Sequence, residues 1–180
     1  VLLAGCAGLG TETAAPVEGP ALEERTEFAG FGFSIAHPAG WSTASDDPVT
    51  VITEQEGDLQ AALQGSQAQA EGIGVSLDHR GMPFLRSIGL PEDASLDDLY
   101  AMNAGFFDWP DDLETTETEV FGVPALAVVA PEGANWTQSL MGFVNEEAFL
   151  LVLTAPSEEA LNDAMPTWER MLASIEPASS

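Results

Sequence analysis

The residue with the clearest chemical signal is the single cysteine, Cys6. It ends the run Leu3-Ala4-Gly5-Cys6, in which small residues precede a thiol after an apolar stretch. Small residues suit cleavage by a lipoprotein signal peptidase, and the thiol is the acceptor for lipid transfer. Two or three acyl chains would anchor the chain stably, because each buried CH₂ contributes about 0.8 kcal/mol. We predict that Cys6 is lipidated and that residues 1–6 end a signal peptide; the alternative is a free or buried thiol in a strand.

The two histidines are the next candidates for chemistry. His37 precedes a turn, and His79 follows a predicted strand beside Arg80. Neither has a metal-type spacing to another His, Cys or acid. The chain has no G-x-S-x-G motif, and its only thiol lies in the predicted leader. The sequence therefore predicts no enzyme. A hydrolase would need a Ser or Asp within hydrogen-bond reach of His37 or His79 in a cleft.

Pairs of adjacent acidic residues recur along the chain. Two carboxylates together with loop carbonyls can contribute to a Ca²⁺ site, which takes six to eight oxygen ligands. Two of the pairs lie at helix starts, where the helix dipole explains them. The loop pair Asp111 and Asp112 is the best candidate for calcium, although so acidic a chain will also contain adjacent acids by chance.

Aromatic side chains precede that acidic pair and recur in a predicted loop. Phe107 and Trp109 lie at a predicted helix end, and Phe84 lies two residues before Arg86. These aromatics either pack in the core or line an exposed groove for an apolar ligand or partner. Arg80 and Arg86 are likewise either internal ion-pair partners or anchors for an anionic ligand. We take Phe84, Arg86, Phe107 and Trp109 as the candidate groove.

The charge balance excludes two classes of function. The 180 residues include 30 acids, four arginines and no lysine, for a net charge of -26. Nucleic-acid binding and electrostatic docking to anionic lipid both need a basic surface, so neither is expected. Self-repulsion destabilises so acidic a fold, and salt screens it. The melting temperature should therefore rise from low to molar NaCl if the protein works in a saline habitat.

The chain is predicted to contain one domain. Residues 7–26 are rich in Gly, Ala, Thr, Pro and Glu without an apolar period, which is typical of a flexible acidic tether. Residues 27–177 form the domain, and residues 178–180 form a tail. A domain of about 150 residues can bury roughly 70% of its unfolded surface, so it needs no disulfide. We expect the domain to be monomeric.

Strands are predicted where β-branched or alternating apolar residues recur. Two short strands surround the Gly30 and Gly32 turn. The last four strands of the chain follow one another with short turns, which indicates an antiparallel meander. The strands of this meander are residues 114–121, 125–130, 136–144 and 148–154, and two further strands are residues 49–53 and 73–78.

Two helices are predicted after the N-cap residues Ser95 and Ser157, each followed by acids in the first turn. Pro166 lies inside the second apolar stripe and predicts a kink or a new helix start. Residues 58–69 are either a short helix or a long loop. This order of elements predicts an α+β fold, an α/β/α sandwich with an antiparallel sheet flanked by helices on both faces.

Three segments together resemble the PsbP-like family, named for an extrinsic lumenal subunit of photosystem II. The family has similar sequences at a "GFSIAHPAGW" start, a "VFGVPA" hairpin and a "WERMLASIE" closing helix, which are here residues 32–41, 120–125 and 168–176. The resemblance implies an α/β/α sandwich that serves mostly as a binding or assembly module. Such relatives include photosystem subunits, a nuclear-transport factor that binds a small GTPase, and bacterial lipoproteins. No metal or partner site of the family can be transferred residue by residue.

The sequence therefore predicts a non-catalytic binding or assembly module, held by acyl chains on the extracytoplasmic side of a bacterial cell membrane or outer membrane. Its partner is an unidentified protein or small ligand. No cofactor is expected apart from calcium in the first alternative, a calcium-binding protein that uses acidic loops. The second alternative is a hydrolase.

Overall fold

The computed structural model describes residues 19–63 and 69–178. Ten strands and four helices lie within these residues. The strands are β1 (Leu22–Glu27), β2 (Phe33–Pro38), β3 (Ser42–Asp46), β4 (Val49–Thr53), β5 (Gly74–Gly81), β6 (Thr115–Val120), β7 (Val123–Glu132), β8 (Asn135–Val144), β9 (Glu147–Ala155) and β10 (Glu176–Pro177). The helices are α1 (Asp58–Leu63), α2 (Met82–Ser87), α3 (Leu96–Phe107) and α4 (Glu158–Ala173).

Seven of the strands form one antiparallel sheet in the order β3-β4-β5-β9-β8-β7-β6. The predicted meander from β6 to β9 is confirmed. Its β8–β9 hairpin turns at Asn145 and Glu146, which both have positive φ angles of 50° and 65°. Two successive left-handed residues give the turn a twist that matches the flanking strands. The remaining strands, β1, β2 and β10, form a separate three-stranded sheet.

One face of the seven-stranded sheet, here called the closed face, is covered by α4 and the small sheet. Ile52, Leu77 and Leu151 point into this core and are fully buried. Trp168 of α4 packs on the same cluster, and its indole Nε1 donates to Gln138 Oε1 at 2.6 Å. Phe31, Phe121 and their aromatic neighbours close one end of the core through tilted and edge-to-face contacts.

The opposite face, here called the open face, is covered over only part of its area. Helices α2 and α3 pack against its β7, β8 and β9 portion through a second buried cluster that includes Leu99, Trp109 and Met141. Beside the β4 and β5 portion, the short helix α1 contacts β3 and β4, and α2 contacts β5. The α/β/α sandwich is therefore confirmed, with fuller cover on one face of the sheet than on the other.

Helices α3 and α4 begin at the predicted N-cap residues. Ser95 and Asp98 form a reciprocal capping box at the start of α3, and the Ser157 hydroxyl accepts from the Ala160 amide at the start of α4. Pro166 lies inside α4, which continues through it as one helix, so the predicted new start is wrong. Among the described residues, no helix is long and apolar enough to cross a membrane.

Three local predictions need correction. Leu22–Glu27 is strand β1 and pairs with β2, although residues 7–26 were predicted to be a tether. The strand lies at a sheet edge and its acids are exposed, so its sequence lacks the apolar alternation that indicates a strand. Met82–Ser87 is helix α2, although a loop was predicted there. Strands β3 and β10 were not predicted, because their short polar sequences show no apolar alternation.

Candidate functional site

The uncovered part of the open face forms a cavity of about 580 Å³, here called the sheet cleft. Its floor is made by β4, β5 and β9, and its walls by α1 on one side and the end of α3 on the other. Asp78 and Arg80 line it, as does Glu132 at the end of β7. The other side chains that define it are Val49, Val51, Thr53, Asp58, Ala61, Ala62, Ser76, Phe106, Phe107, Asn135, Thr137, Leu150, Val152 and Thr154.

The floor is deep because small residues occupy the middle strand. Ser76 of β5 pairs with Val51 of β4 and Val152 of β9, so two branched side chains flank one hydroxyl. One step along the strands, Gly74 pairs with Thr53 and Thr154 and adds no side chain at all. Apolar side chains and hydroxyl groups therefore alternate on the floor, and such a surface suits an apolar ligand with a few polar groups.

The cleft extends both along the strands and across the sheet. Gly72 and Asp78, six positions apart in one segment, both line it, and at roughly 3.3 Å per residue this separation is about 20 Å. The lining also reaches from Val49 of β4 to Glu132 of β7, four strand steps away, which at roughly 4.8 Å per step is about 19 Å. The cleft is therefore a broad trough over the sheet.

An ion pair occupies one end of the trough. Arg80 contacts the Asp78 carboxylate through two nitrogens, with Nε 2.7 Å from Oδ1 and Nη2 3.0 Å from Oδ2. The Arg80 guanidinium also lies 5.8 Å from the ring centroid of Phe84. Burial raises the pKa of Asp78, and the hydrogen bond and charge of Arg80 oppose that rise. Arg80 is thus a paired cation rather than a free anchor for an anionic ligand.

Glu132 stands in a different environment. It is half-buried, and burial raises the pKa of its carboxyl group with no opposing contact. No described residue donates a hydrogen bond to this carboxylate or pairs with it. Asp58, a third carboxylate in the cleft, instead accepts from the backbone amides of Glu71 and Gly72 at 3.1–3.2 Å.

The predicted groove residues do not come together. Phe107 lines the cleft, but Trp109 is 6% exposed and stacks behind it at a centroid distance of 5.5 Å. Phe84 and Arg86 are exposed on α2 outside the cleft, and Arg86 donates to the carbonyl of Glu92. Phe106, at the end of α3, is 80% exposed and lies at the cleft rim.

All four arginines contact groups of the fold. Arg80 is an internal ion-pair partner, as one of the two open alternatives predicted, whereas Arg86 donates to a backbone carbonyl instead. Arg25 forms an ion pair with Glu176 at 3.3 Å and donates to the Ser174 carbonyl. Arg170 donates to the Pro20 carbonyl at 2.8 Å. Together with the contacts of Arg80 and Arg86 described above, these account for every basic residue of the chain apart from the histidines.

Neither histidine lines the sheet cleft. His79 is 6% exposed, with Nδ1 2.9 Å from Glu147 Oε2 and Nε2 2.9 Å from the Ala29 carbonyl oxygen. The Asp47 carboxylate lies 3.4 Å from Nε2. His37 is 2% exposed and contacts the Thr26 hydroxyl and the Pro38 carbonyl. Asp47 does lie within reach of His79, but both rings join structural elements and neither faces a cavity open to substrate.

The remaining candidates gain no support from the geometry. Asp111 and Asp112 are exposed in the loop after α3. Within residues 19–63 and 69–178, no three His, Cys, Asp or Glu side chains converge as a metal site requires. Cys6 lies outside the described residues, so its lipidation stays a prediction.

A second groove, of about 520 Å³, lies on the closed face between α4 and the edge strand β6. Its floor includes Ala127 and Val129, and its walls carry the exposed acids Glu114, Glu117 and Glu169.

Comparison with solved structures gives the fold. The solution structure of cyanobacterial PsbP (CyanoP) from Synechocystis sp. PCC 6803 superposes with a TM-score of 0.55 at 12% identity, covering 98% of this chain and 99% of that one. The fold is PsbP-like. This confirms the resemblance drawn from the three sequence segments, and at such low identity it establishes the fold alone.

Two other solved structures are similar to this chain. One is from Bacteroides thetaiotaomicron, with a TM-score of 0.49 at 12% identity, covering 89% of this chain and 50% of that one. The other is a protein of unknown function from Pseudomonas aeruginosa, with a TM-score of 0.49 at 14% identity, covering 82% and 92%. No protein-family description matches the chain, and no curated protein does.

The sheet cleft was missed at the level of sequence, although one signal pointed to it. In β5, Val75 and Leu77 alternate with Ser76 and Asp78. This alternation indicates a strand with one polar face, and a polar face in a central strand has to reach either solvent or a cavity. The positions of α1 and α3 beside that face could not be read from the sequence.

Proposed function

We propose that the protein is a lipid-anchored, extracytoplasmic binding module without catalytic activity, and that the sheet cleft is its binding site. The observation that carries this proposal is the cleft itself, a trough of about 580 Å³ with an apolar and hydroxyl-lined floor on a central strand. Most of the open face is sealed by α2 and α3. Among the described residues nothing covers the rest of that face, which is therefore available to a ligand.

The contents of the cleft favour binding over catalysis. Its titratable groups are carboxylates and one arginine already paired with Asp78. Covalent catalysis needs a nucleophile beside a base, and the histidines of the chain are buried elsewhere. Hydroxyls of Ser76, Thr53 and Thr154 supply hydrogen bonds for orientation, while Val51 and Val152 supply apolar contact.

The anchor rests on Cys6 and on the charge of the chain. A net charge of -26 repels anionic lipid, so attachment to a membrane surface needs acyl chains. The described chain begins at Gly19 beside α4, where Arg170 holds the Pro20 carbonyl. The intervening residues 7–18 would span the distance between the bilayer and the domain.

Binding in the cleft can be tested with a neutral apolar probe, 1-octanol. In a ¹⁵N-labelled protein, we expect octanol to shift the amide resonances of β4, β5 and β9 on the open face. An Ala61→Trp substitution on the α1 wall should abolish these shifts, because the indole would fill the trough. Ala101→Trp, on an exposed position of α3 outside the cleft, is the matched control. Shifts that survive Ala61→Trp would place the binding elsewhere and overturn the proposed site.

The anchor has its own test. Mass spectrometry of the N-terminus of protein isolated from native membranes should show a diacylated or triacylated Cys6. An unmodified thiol at that position would overturn the anchoring half of the proposal and leave the cleft unaffected.

A further inference from the structure

We infer that the sheet cleft selects an amphiphilic amine, with its ammonium group at Glu132 of β7 and its apolar chain lying across the floor toward β5. This inference rests on the proposed function, because it names the chemical class of ligand for the same cleft. Four observations support it: the charge inside the cleft, the pairing of the arginines, the environment of Glu132 and the shape of the trough.

The charge inside the cleft is unbalanced. Three carboxylates line it, those of Asp58, Asp78 and Glu132, against the single guanidinium of Arg80. Arg80 and Asp78 neutralise each other through two short contacts. Two negative groups therefore remain, and an anionic ligand would meet repulsion with no compensating donor.

No other cation can reverse this balance. The chain has four basic residues besides its histidines, and the three outside the cleft hold carbonyl or carboxylate groups of the fold. Freeing one of them would cost the contacts that it makes. The ligand is therefore a neutral or cationic molecule.

The environment of Glu132 favours a cationic ligand over a neutral one. Its carboxylate is half-buried and partly reached by solvent, and no described residue donates a hydrogen bond to it or balances its charge. Here burial raises its pKa and no described residue offsets that effect. An ammonium group would supply both the charge and the hydrogen-bond donors that are missing. Asp58, whose carboxylate is already bonded to two backbone amides, needs no such partner.

The shape of the cleft determines the rest of the ligand. The trough is about 20 Å long by strand geometry, and its floor presents Val51, Val152 and Leu150 between hydroxyl groups. Phe106, 80% exposed, and Phe107 supply an aromatic rim. An apolar chain can lie on this floor, and ammonium groups also bind favourably near aromatic faces.

Three probes with the same eight-carbon chain test the inference: octylamine, 1-octanol and octanoate. Calorimetric titration at about 0.5 M NaCl suppresses the long-range attraction of any cation to this acidic surface, since the Debye length is then below about 5 Å. We expect octylamine to bind about tenfold or more tighter than octanol, as a charge-assisted hydrogen bond allows. Octanoate should bind most weakly.

Glu132→Gln keeps the shape of the side chain and removes its charge. It should weaken octylamine about tenfold while leaving octanol unchanged. Glu119→Gln, on the exposed edge strand β6, removes the same charge away from the cleft and should change neither. Octylamine should also lose affinity as the pH falls through the raised pKa of Glu132, and this loss should be absent in Glu132→Gln.

The experiments distinguish a failure of the inference about the amine from a failure of the proposed function. If all three probes bind, Ala61→Trp blocks them and Glu132→Gln has no effect on octylamine, the cleft stands as the site and the inference about Glu132 is overturned. If Ala61→Trp blocks nothing, the cleft itself is rejected. If no octyl probe binds but an extended basic peptide does, the occupant is a chain segment and the amine is rejected.

Discussion

Polar side chains on the two faces of the seven-stranded sheet differ in their burial and in their hydrogen-bond partners. On the closed face, His79 is nearly inaccessible, and its two ring nitrogens each lie 2.9 Å from an acceptor. On the open face, Glu132 is half-buried and has no donor among the described residues. A buried polar group with partners on other elements joins those elements together, whereas a partly solvated carboxylate in a cavity can bind a group from outside the chain.

The apolar residues show the same division. The closed face buries Ile52, Leu77 and Leu151 at or near zero exposure beneath α4. The open face leaves a trough between α1 and α3. Stability and binding are therefore assigned to opposite faces of the same strands, and substitutions on the two faces should separate them.

The largest effect is expected at Trp168, the fully buried centre of α4. Trp168→Ala should lower the free energy of unfolding by about 3–5 kcal/mol, because it removes a large core side chain and leaves a cavity. It also removes the donor to Gln138. Equilibrium unfolding in urea measures the change. Phe106→Ala, at an 80% exposed position, should change stability by less than about 0.5 kcal/mol. Equal losses in the two variants would refute the division between the faces.

A matched pair in β9 sharpens the comparison. Leu150 and Leu151 are adjacent and identical, but Leu150 lines the cleft and Leu151 lies in the closed core. Leu151→Ala should cost about 2–5 kcal/mol, whereas Leu150→Ala should cost less than half of that value because solvent or ligand can already reach its site. Urea unfolding of both variants provides the measurement. A larger loss for Leu150→Ala would show that the open face carries the stability.

A smaller effect is expected at His79. His79→Ala should destabilise the fold by about 1–3 kcal/mol, because the Glu147 carboxylate and the Ala29 carbonyl lose a buried partner. Thermal unfolding under identical buffer conditions reports the difference. Asp47→Asn, whose side chain is 72% exposed, tests whether the more distant carboxylate matters. We expect it to be close to neutral, and a loss equal to that of His79→Ala would assign the contact to Asp47 instead.

The smallest effect concerns the pH dependence of stability. The folded pKa of Glu132 is raised above its ordinary value of 4.5, so the folded state binds more protons than the unfolded state between these two values. Stability should therefore fall as the pH rises through this window and then level off. Glu132→Gln should remove that part of the decline, and Glu119→Gln should retain it. Urea unfolding at several pH values tests this, and coincident curves for the native protein and Glu132→Gln would contradict it.

Much of the fold could be predicted from the sequence, because its strongest elements carry local signals. The meander from β6 to β9 follows from apolar alternation interrupted by turn residues, and both long helices begin at a serine followed by acids. Strands β3 and β10 and helix α2 could not be predicted in this way. Their sequences are short and polar or mixed, and they are held by pairing and packing with residues that are distant in sequence.

The candidate site was less predictable than the fold. Of the predicted groove residues, Phe107 lines the cleft, Trp109 is buried behind it, and Phe84 and Arg86 lie outside the cleft. The sequence shows that these side chains are aromatic, but it does not show which of them are exposed at the end of the helix. Glu132 had no distinguishing signal among 30 acids, because its isolation depends on what surrounds it.

What the sequence determined by itself is the set of properties that depend on composition and local order. These are the strong negative charge, the absence of a free basic surface, the caps of α3 and α4, the antiparallel meander and the PsbP-like character of the fold. Only the tertiary structure decided that the arginines are all paired, that both histidines are buried, and that one face of the sheet stays partly uncovered. Pairing and burial depend on distances between segments far apart in the chain, and residue types alone do not specify those distances.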